Sequence, residues 1–267
     1  MELNKIYNED CFITIQRMIE DGTKCDLVLT SPPYNTGKNV SGKNSKSVKN
    51  FDARYDIYLE NKTDEEYIEW TVDLFKNIDK VLSENGIILY NMSYGSGDKN
   101  NGYKSNDLMW KVISEIITNT DFTVADRIIW KKKSALPNNR SSNKLTRIVE
   151  DIFVFCRRKE YMTFNSNKQV VSLSKRGQKN FENVYNFIEA KNNDGACNLN
   201  KATYSSDLCM KLLNIYAKPN SIVFDPFIGT GTTAVACKKL GHSYIGSELS
   251  SNQCNFADNR ILNTEVC

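Results

Sequence analysis

The sequence has one histidine, His242, and its eight cysteines are scattered with no Cys-x-x-Cys pair among them. A zinc site needs clustered Cys and His, and a disulfide framework needs a short Cys-rich chain, so neither a metal nor a bridged scaffold is expected. No cysteine follows a proline, which leaves no Pro-Cys nucleophile for covalent attack on a pyrimidine ring. Long apolar runs are missing too: nothing approaches the roughly 20 residues that cross a bilayer, and mean hydropathy is −0.49. The opening residues Met1-Glu2-Leu3-Asn4-Lys5 lack the basic-then-apolar order of a secretory signal. A cytoplasmic protein that does not engage a membrane is expected.

Strong net charge is also lacking, at +3, but the charge present is unevenly placed. Residues 36–50 carry Lys38, Lys43, Lys46 and Lys49 with no acid, and residues 131–149 carry Lys131, Lys132, Lys133, Arg140, Lys144 and Arg147, again with no acid. Alone, such stretches read as solvated loops. Beside the motifs below they read as phosphate-facing, with Lys38, Lys43, Lys46, Lys132, Arg140 and Lys144 as the expected DNA contacts.

A chain of 267 residues accommodates one large α/β domain with an insertion. Short apolar, β-branched runs at 26–30, 86–90, 127–130, 152–155, 222–225 and 243–246 have the pattern of buried parallel strands. Helical periodicity fills 64–82, 106–117 and 206–216, and Thr63 with Glu66 forms a capping-box pattern ahead of the first. Alternation of this kind predicts a doubly wound, mostly parallel, Rossmann-like α/β sheet, with strands near 125–131 and 151–156 pairing antiparallel as an edge hairpin. Between 161 and 200 the pattern dissolves into Asn, Lys and Ser. The expected organisation is 1–160 as a catalytic half with a mobile loop at 35–60, 161–200 as a target-recognition insertion, and 201–267 as a cofactor-binding half of the same domain.

Two motifs carry chemistry. Strand 221–225 runs into Pro226-Phe227-Ile228-Gly229-Thr230-Gly231-Thr232-Thr233 and then a helix, which brings backbone close to a ligand at a helix N-terminus, while Glu248 stands where an acid can grip ribose hydroxyls. Gly229-x-Gly231-x-x-Ala234 alone also satisfies a dinucleotide fingerprint. The carboxylate of Asp225 at the strand tip suits a cationic ligand, such as a sulfonium bearing an amino group, better than a pyrophosphate. The second motif, Ser31-Pro32-Pro33-Tyr34, follows strand 26–30 directly, and two prolines freeze the backbone where such sheets present their sites. An exocyclic base amine is a poor nucleophile because its lone pair is delocalised into the ring. Hydrogen bonds from it to the Pro32 carbonyl and the Ser31 side chain would localise that pair and aim it at a methyl donor. Tyr34 would stack on a base drawn out of the duplex.

With these motifs in this order, the chain resembles the amino-methyltransferases of DNA in their permuted β arrangement. Ser31 to Tyr34 matches the catalytic (D/N/S)PPY motif, and Phe224-Asp225-Pro226-Phe227-x-Gly229-x-Gly231-Thr232-Thr233 matches the cofactor motif. Further matches are Asp10-Cys11, the Tyr67-x-x-Trp70 helix, Ile129-Trp130-Lys131 and Glu150 ahead of Ile152-Phe153-Val154-Phe155. The resemblance implies S-adenosylmethionine as cofactor, contacted by Asp225, Pro226, Phe227, Gly229, Thr230, Gly231, Thr232, Thr233 and Glu248, with Asp10 and Cys11 near its adenine. It implies double-stranded DNA as substrate, and it leaves open a homodimer and a cognate restriction endonuclease as partners. Where the family often has a His-Pro motif, this chain has residues 200–205, which puts the grip on the methionine end in question. Ser before Pro-Pro is typical of cytosine-N4 enzymes, so cytosine is the expected base, with adenine N6 as the alternative. An RNA or protein amine methyltransferase, or a DNA-binding subunit without catalysis, are the remaining alternatives.

Overall fold

The computed structural model describes residues 1–35, 62–93, 107–135, 137, 139, 142, 145–164, 166–195 and 203–265. In chain order the strands and α-helices are β1 (Lys5–Tyr7), α1 (Cys11–Asp21), β2 (Cys25–Thr30), α2 (Asp64–Val81), β3 (Leu82–Met92), α3 (Leu108–Asn119), β4 (Phe122–Lys132) and β5 (Val149–Arg157). They continue with β6 (Val170–Leu173), β7 (Lys179–Phe181), β8 (Phe187–Ala190), α4 (Ser206–Tyr216), β9 (Ile222–Asp225), α5 (Thr232–Leu240), β10 (Ser243–Ser247) and α6 (Ser251–Leu262).

The main sheet has the order β1-β10-β9-β2-β3-β5-β4-β8. Every neighbouring pair is parallel except those made by β5, which runs antiparallel to both β3 and β4. Successive strand residues face opposite sides, and both sides are covered. Leu27 and Leu29 of β2 join a core with Leu208 and Leu212 of α4, Ala234 of α5 and Ala257 of α6. Val28 joins the opposite core with Ile15 of α1, Phe75 of α2 and Val112 of α3. Burial on both faces is why the strands read as continuous apolar runs rather than alternating ones. Phe75 anchors the second core, edge-on to Tyr90, Phe122 and Phe155 at 5.3, 5.7 and 5.0 Å.

All six expected strands are present, and the capping box at α2 forms: Thr63 Oγ1 accepts from the Glu66 backbone N–H at 3.1 Å while Glu66 Oε2 accepts from that of Thr63 at 2.8 Å. The antiparallel β4–β5 pair also forms, but β8 lies outside it and pairs parallel with β4, so β8 is the terminal strand. Its inward Ile188 and Ala190 complete the core. β1 was too short to read and is recognisable only once paired with β10. β6 and β7 form a separate antiparallel ribbon whose residues are exposed throughout. No buried face imposes alternation on them, which is why the pattern dissolves there. The expected mobile loop lies outside the described residues except for Asn35. Among the described residues no helix is long and apolar enough to cross a membrane.

Candidate active site at the strand tips

The carboxyl ends of β10, β9, β2 and β3 lie side by side, and both motifs converge there. A cavity of about 190 Å3 opens between them. Of the residues expected to meet the cofactor, Asp10, Cys11, Pro226, Phe227, Gly229, Thr232 and Glu248 line it, together with Ser31 and Pro33 of the proline motif. The lining does not include Asp225, Thr230, Gly231, Thr233, Pro32 or Tyr34.

Asp225 is 1% exposed, and its carboxylate is engaged by the protein. Oδ1 accepts from Thr30 Oγ1 at 2.7 Å and the Phe227 backbone N–H at 3.0 Å; Oδ2 accepts from Thr233 Oγ1 at 2.6 Å and Tyr204 Oη at 3.1 Å. Burial raises its pKa above the ordinary carboxylate value, an effect that the Thr233, Thr30, Phe227 and Tyr204 donors oppose. Thr30 is the residue before Ser31, so this carboxylate ties the tip of β2 to the tip of β9. Burial likewise raises the Tyr204 hydroxyl well above its usual range, which keeps it a donor. Residues 200–202 lie outside the described residues, whereas Thr203 and Tyr204 line the cavity.

Gly231 has φ of 80°, in the left-handed region, and a Cβ on it would lie 2.8 Å from the Ala257 Cβ of α6. Its missing side chain admits a neighbouring helix rather than a ligand. The Glu248 carboxylate lines the cavity while held by backbone: Oε2 accepts from the Gly229 N–H at 3.0 Å and Oε1 from the Ser250 N–H at 2.8 Å. Ser247 Oγ, also in the lining residue set, is buried without a partner. Asp10 caps α1 by accepting from the Phe12 N–H at 2.9 Å, and burial pushes the Cys11 thiol up, leaving it a neutral apolar wall.

α2 explains a spacing that had no role in the sequence. Tyr67, fully buried, donates to the Pro33 carbonyl at 2.8 Å and fixes the proline motif from behind. One turn on, Trp70 packs 5.6 Å from Phe227 across the cavity lining.

A polar cluster meets the hydroxyls of the proline motif. Ser31 Oγ and Tyr34 Oη are 2.9 Å apart, Tyr34 Oη lies 3.4 Å from Glu150 Oε2, and Asn91 Nδ2 donates to Glu150 Oε2 at 3.1 Å. Asn91 Nδ2 also contacts Tyr34 Oη and lies 3.3 Å from Ser31 Oγ. Lys132 closes the cluster with an ion pair to Glu150 and lies over the Trp130 ring at 4.9 Å. Lys132 was expected to face phosphate and instead points its ammonium at this carboxylate. Lys38, Lys43, Lys46, Arg140 and Lys144 lie outside the described residues.

Residues 25–259, spanning both motifs, match the family model described as DNA methylase, of the N6/N4 class. The chain belongs to the N6/N4 DNA methylase family, the S-adenosylmethionine-dependent DNA amino-methyltransferases. Curated relatives include the type II methyltransferase M.BglII of Bacillus subtilis, 27% identical over 96% of this chain and 68% of that protein. Another is M.SmaI of Serratia marcescens, 27% identical over 89% of this chain and 84% of its own length. Among solved structures, an M1.HpyAVI–SAM complex superposes with a TM-score of 0.62 at 22% identity, covering 96% of this chain and 98% of that one. The cytosine-N4-specific PvuII DNA methyltransferase gives 0.64 at 18%, covering 98% and 93%. Both share the fold of this methylase.

Proposed function

We propose that this methylase transfers a methyl group to the N4 amine of cytosine in double-stranded DNA, within a type II restriction-modification pair. The observation that carries the reading is Ser31, which lines the same cavity as Phe227 and Gly229 and holds the motif position that is a carboxylate in an Asp-Pro-Pro-Tyr enzyme. A hydroxyl accepts from the amine while its own hydrogen points away to another acceptor, whereas an ionised carboxylate only accepts. The PvuII neighbour, whose cytosine-N4 specificity is stated for that protein, supports the same choice.

The cavity fits S-adenosylmethionine by its donor set. Glu248 lines the cavity with both carboxylate oxygens positioned by backbone N–H groups, Trp70 and Phe227 offer an aromatic wall, and Ser247 Oγ is buried without a partner. When bound, the cofactor supplies an electrophilic methyl carbon on a sulfonium. Ser31 Oγ and the Pro32 carbonyl accept the amine's hydrogens and orient its lone pair; the ring of Tyr34 stacks on the extruded base. Asp225 acts indirectly, by holding Thr30 and the glycine turn in one register.

Of the expected insertion 161–200, β8 belongs to the main sheet, so the recognition element in this reading is the part before it, built on the β6–β7 ribbon. A two-stranded ribbon is a shape the major groove admits, and the β6–β7 ribbon carries exposed Lys175, Arg176 and Lys179 around its tip. Lys132 supports the catalytic motif and leaves phosphate contact to the ribbon and the basic loops.

Reaction with labelled cofactor, digestion of the DNA and mass spectrometry of the labelled nucleoside tests the base. N4-methylcytosine is expected, and N6-methyladenine alone overturns the assignment. Ser31→Ala should lose most turnover while retaining cofactor affinity.

A further inference from the structure

Methyl transfer to an amine leaves a proton to be removed. As the nitrogen–carbon bond forms and the carbon–sulfur bond breaks, the product nitrogen carries one hydrogen too many and a positive charge. A carboxylate already linked by hydrogen bonds to the proline motif is an acceptor placed for that proton.

The geometry points to Glu150 as that acceptor, reached through Ser31 and Tyr34 as a two-hydroxyl proton relay. The inference rests on the site reading given above. An ionised carboxylate can only accept, so Tyr34 donates to Glu150 Oε2 and Ser31 in turn donates to Tyr34 Oη. The same logic sets the Asn91 amide, which must present Nδ2 to Glu150. Nδ2 has two hydrogens and three acceptors within reach; Glu150 and Tyr34 are nearer than Ser31, at 3.3 Å. A lone pair of Ser31 Oγ therefore stays available to the target amine. Asn91 is 3% exposed, and this cluster lies at the tip of β3 with Glu150 on the neighbouring β5, both on rigid sheet. The Lys132 ammonium holds the far oxygen of Glu150 and fixes the carboxylate in place.

The step balances. The surplus proton moves from the methylated nitrogen to Ser31 Oγ, the Ser31 hydroxyl proton moves to Tyr34 Oη, and the Tyr34 proton moves to Glu150 Oε2. No oxidant or further reactant enters, and Glu150 returns its proton to solvent when product leaves. The 3.4 Å spacing between Tyr34 and Glu150 is in keeping with a substrate-free site, where catalytic hydrogen bonds are commonly long and tighten on binding.

Single-turnover methyl transfer should be measured for the wild type, Ser31→Ala, Glu150→Gln, Tyr34→Phe and the double variant, alongside equilibrium binding of cofactor and DNA. Tyr34→Phe keeps the stacking ring and the Glu150–Lys132 pair and removes only the relay hydroxyl, so it reports even where Glu150→Gln destabilises the fold. Each of these two substitutions should slow transfer on the order of 100-fold, with both affinities unchanged. The double variant should be no slower than the slower single one, since both cut the same path. Wild-type rates in either single variant, additive losses in the double, or slowing matched by lost affinity overturns the relay. Failure of the wild type to methylate DNA, or a fully active Ser31→Ala, instead overturns the site reading beneath it.

Discussion

Asp225 shows how far a single residue can be read. The sequence places a carboxylate at a strand tip next to a glycine turn, and that much holds. What the carboxylate touches depends on Thr30 and Tyr204, which are distant in sequence, and they turn it inward instead of toward the ligand. Its raised pKa has a thermodynamic consequence. The folded protein keeps this proton to a higher pH than the unfolded chain does, so the contribution of Asp225 to stability falls as pH rises from the ordinary value of 3.8 through the raised one, then levels off. Asp225→Asn should remove that slope. Denaturant unfolding of both proteins across the acidic range checks it, and an unchanged slope refutes the assignment. Asp225→Ala should weaken cofactor binding indirectly, by unseating the turn, whereas Tyr34→Ala should spare cofactor binding and lower turnover, as isothermal titration and rate measurements would distinguish.

At the scale of the element, α2 was legible as a helix and mute about its purpose. Its periodicity, cap and length follow from local rules, and Tyr67, Phe75 and Ile78 lie on its buried face. That the Tyr67 hydroxyl ends on the Pro33 carbonyl follows only from how the helix crosses the sheet. Tyr67→Phe leaves that carbonyl unpaired and should cost about 1–3 kcal/mol of stability. Because the carbonyl belongs to the catalytic motif, turnover should drop more than cofactor affinity; a loss of stability with unaltered turnover would count against the role. The ribbon was illegible for the opposite reason. β6 and β7 have no core to satisfy, so nothing in their composition separates them from a loop. Asn91 and Glu150 sit in between: Glu150 stood out by resemblance, Asn91 by nothing, since a lone asparagine at a strand end has no pattern.

For the whole molecule, the alternation of strands and helices was enough to foresee a doubly wound sheet, and the two motifs pointed to strand tips that the fold brings together around one cavity. The position of β8 was not foreseeable, because four residues pairing beyond a hairpin leave no periodic trace. The assembly presents its ribbon clear of the sheet, and each phosphate-neutralising cation adds about 0.9 to the slope of log affinity against log salt. Lys175→Ala, Arg176→Ala and Lys179→Ala together should lower that slope by about 2 to 3; an unaltered slope in a fluorescence anisotropy titration places DNA elsewhere. The Thr30–Asp225 bond joins residues 195 positions apart, and β2 pairs with β9 along the same seam. During synthesis the proline motif therefore emerges long before its partner strand exists. The central seam is a late, high-contact-order closure, and until β9 arrives the nascent N-terminal part of the sheet carries an unpaired strand edge beside the proline motif. Folding of this methylase should accordingly be slow and sensitive to chain concentration, and its catalytic motif should be the last part of the sheet to become rigid.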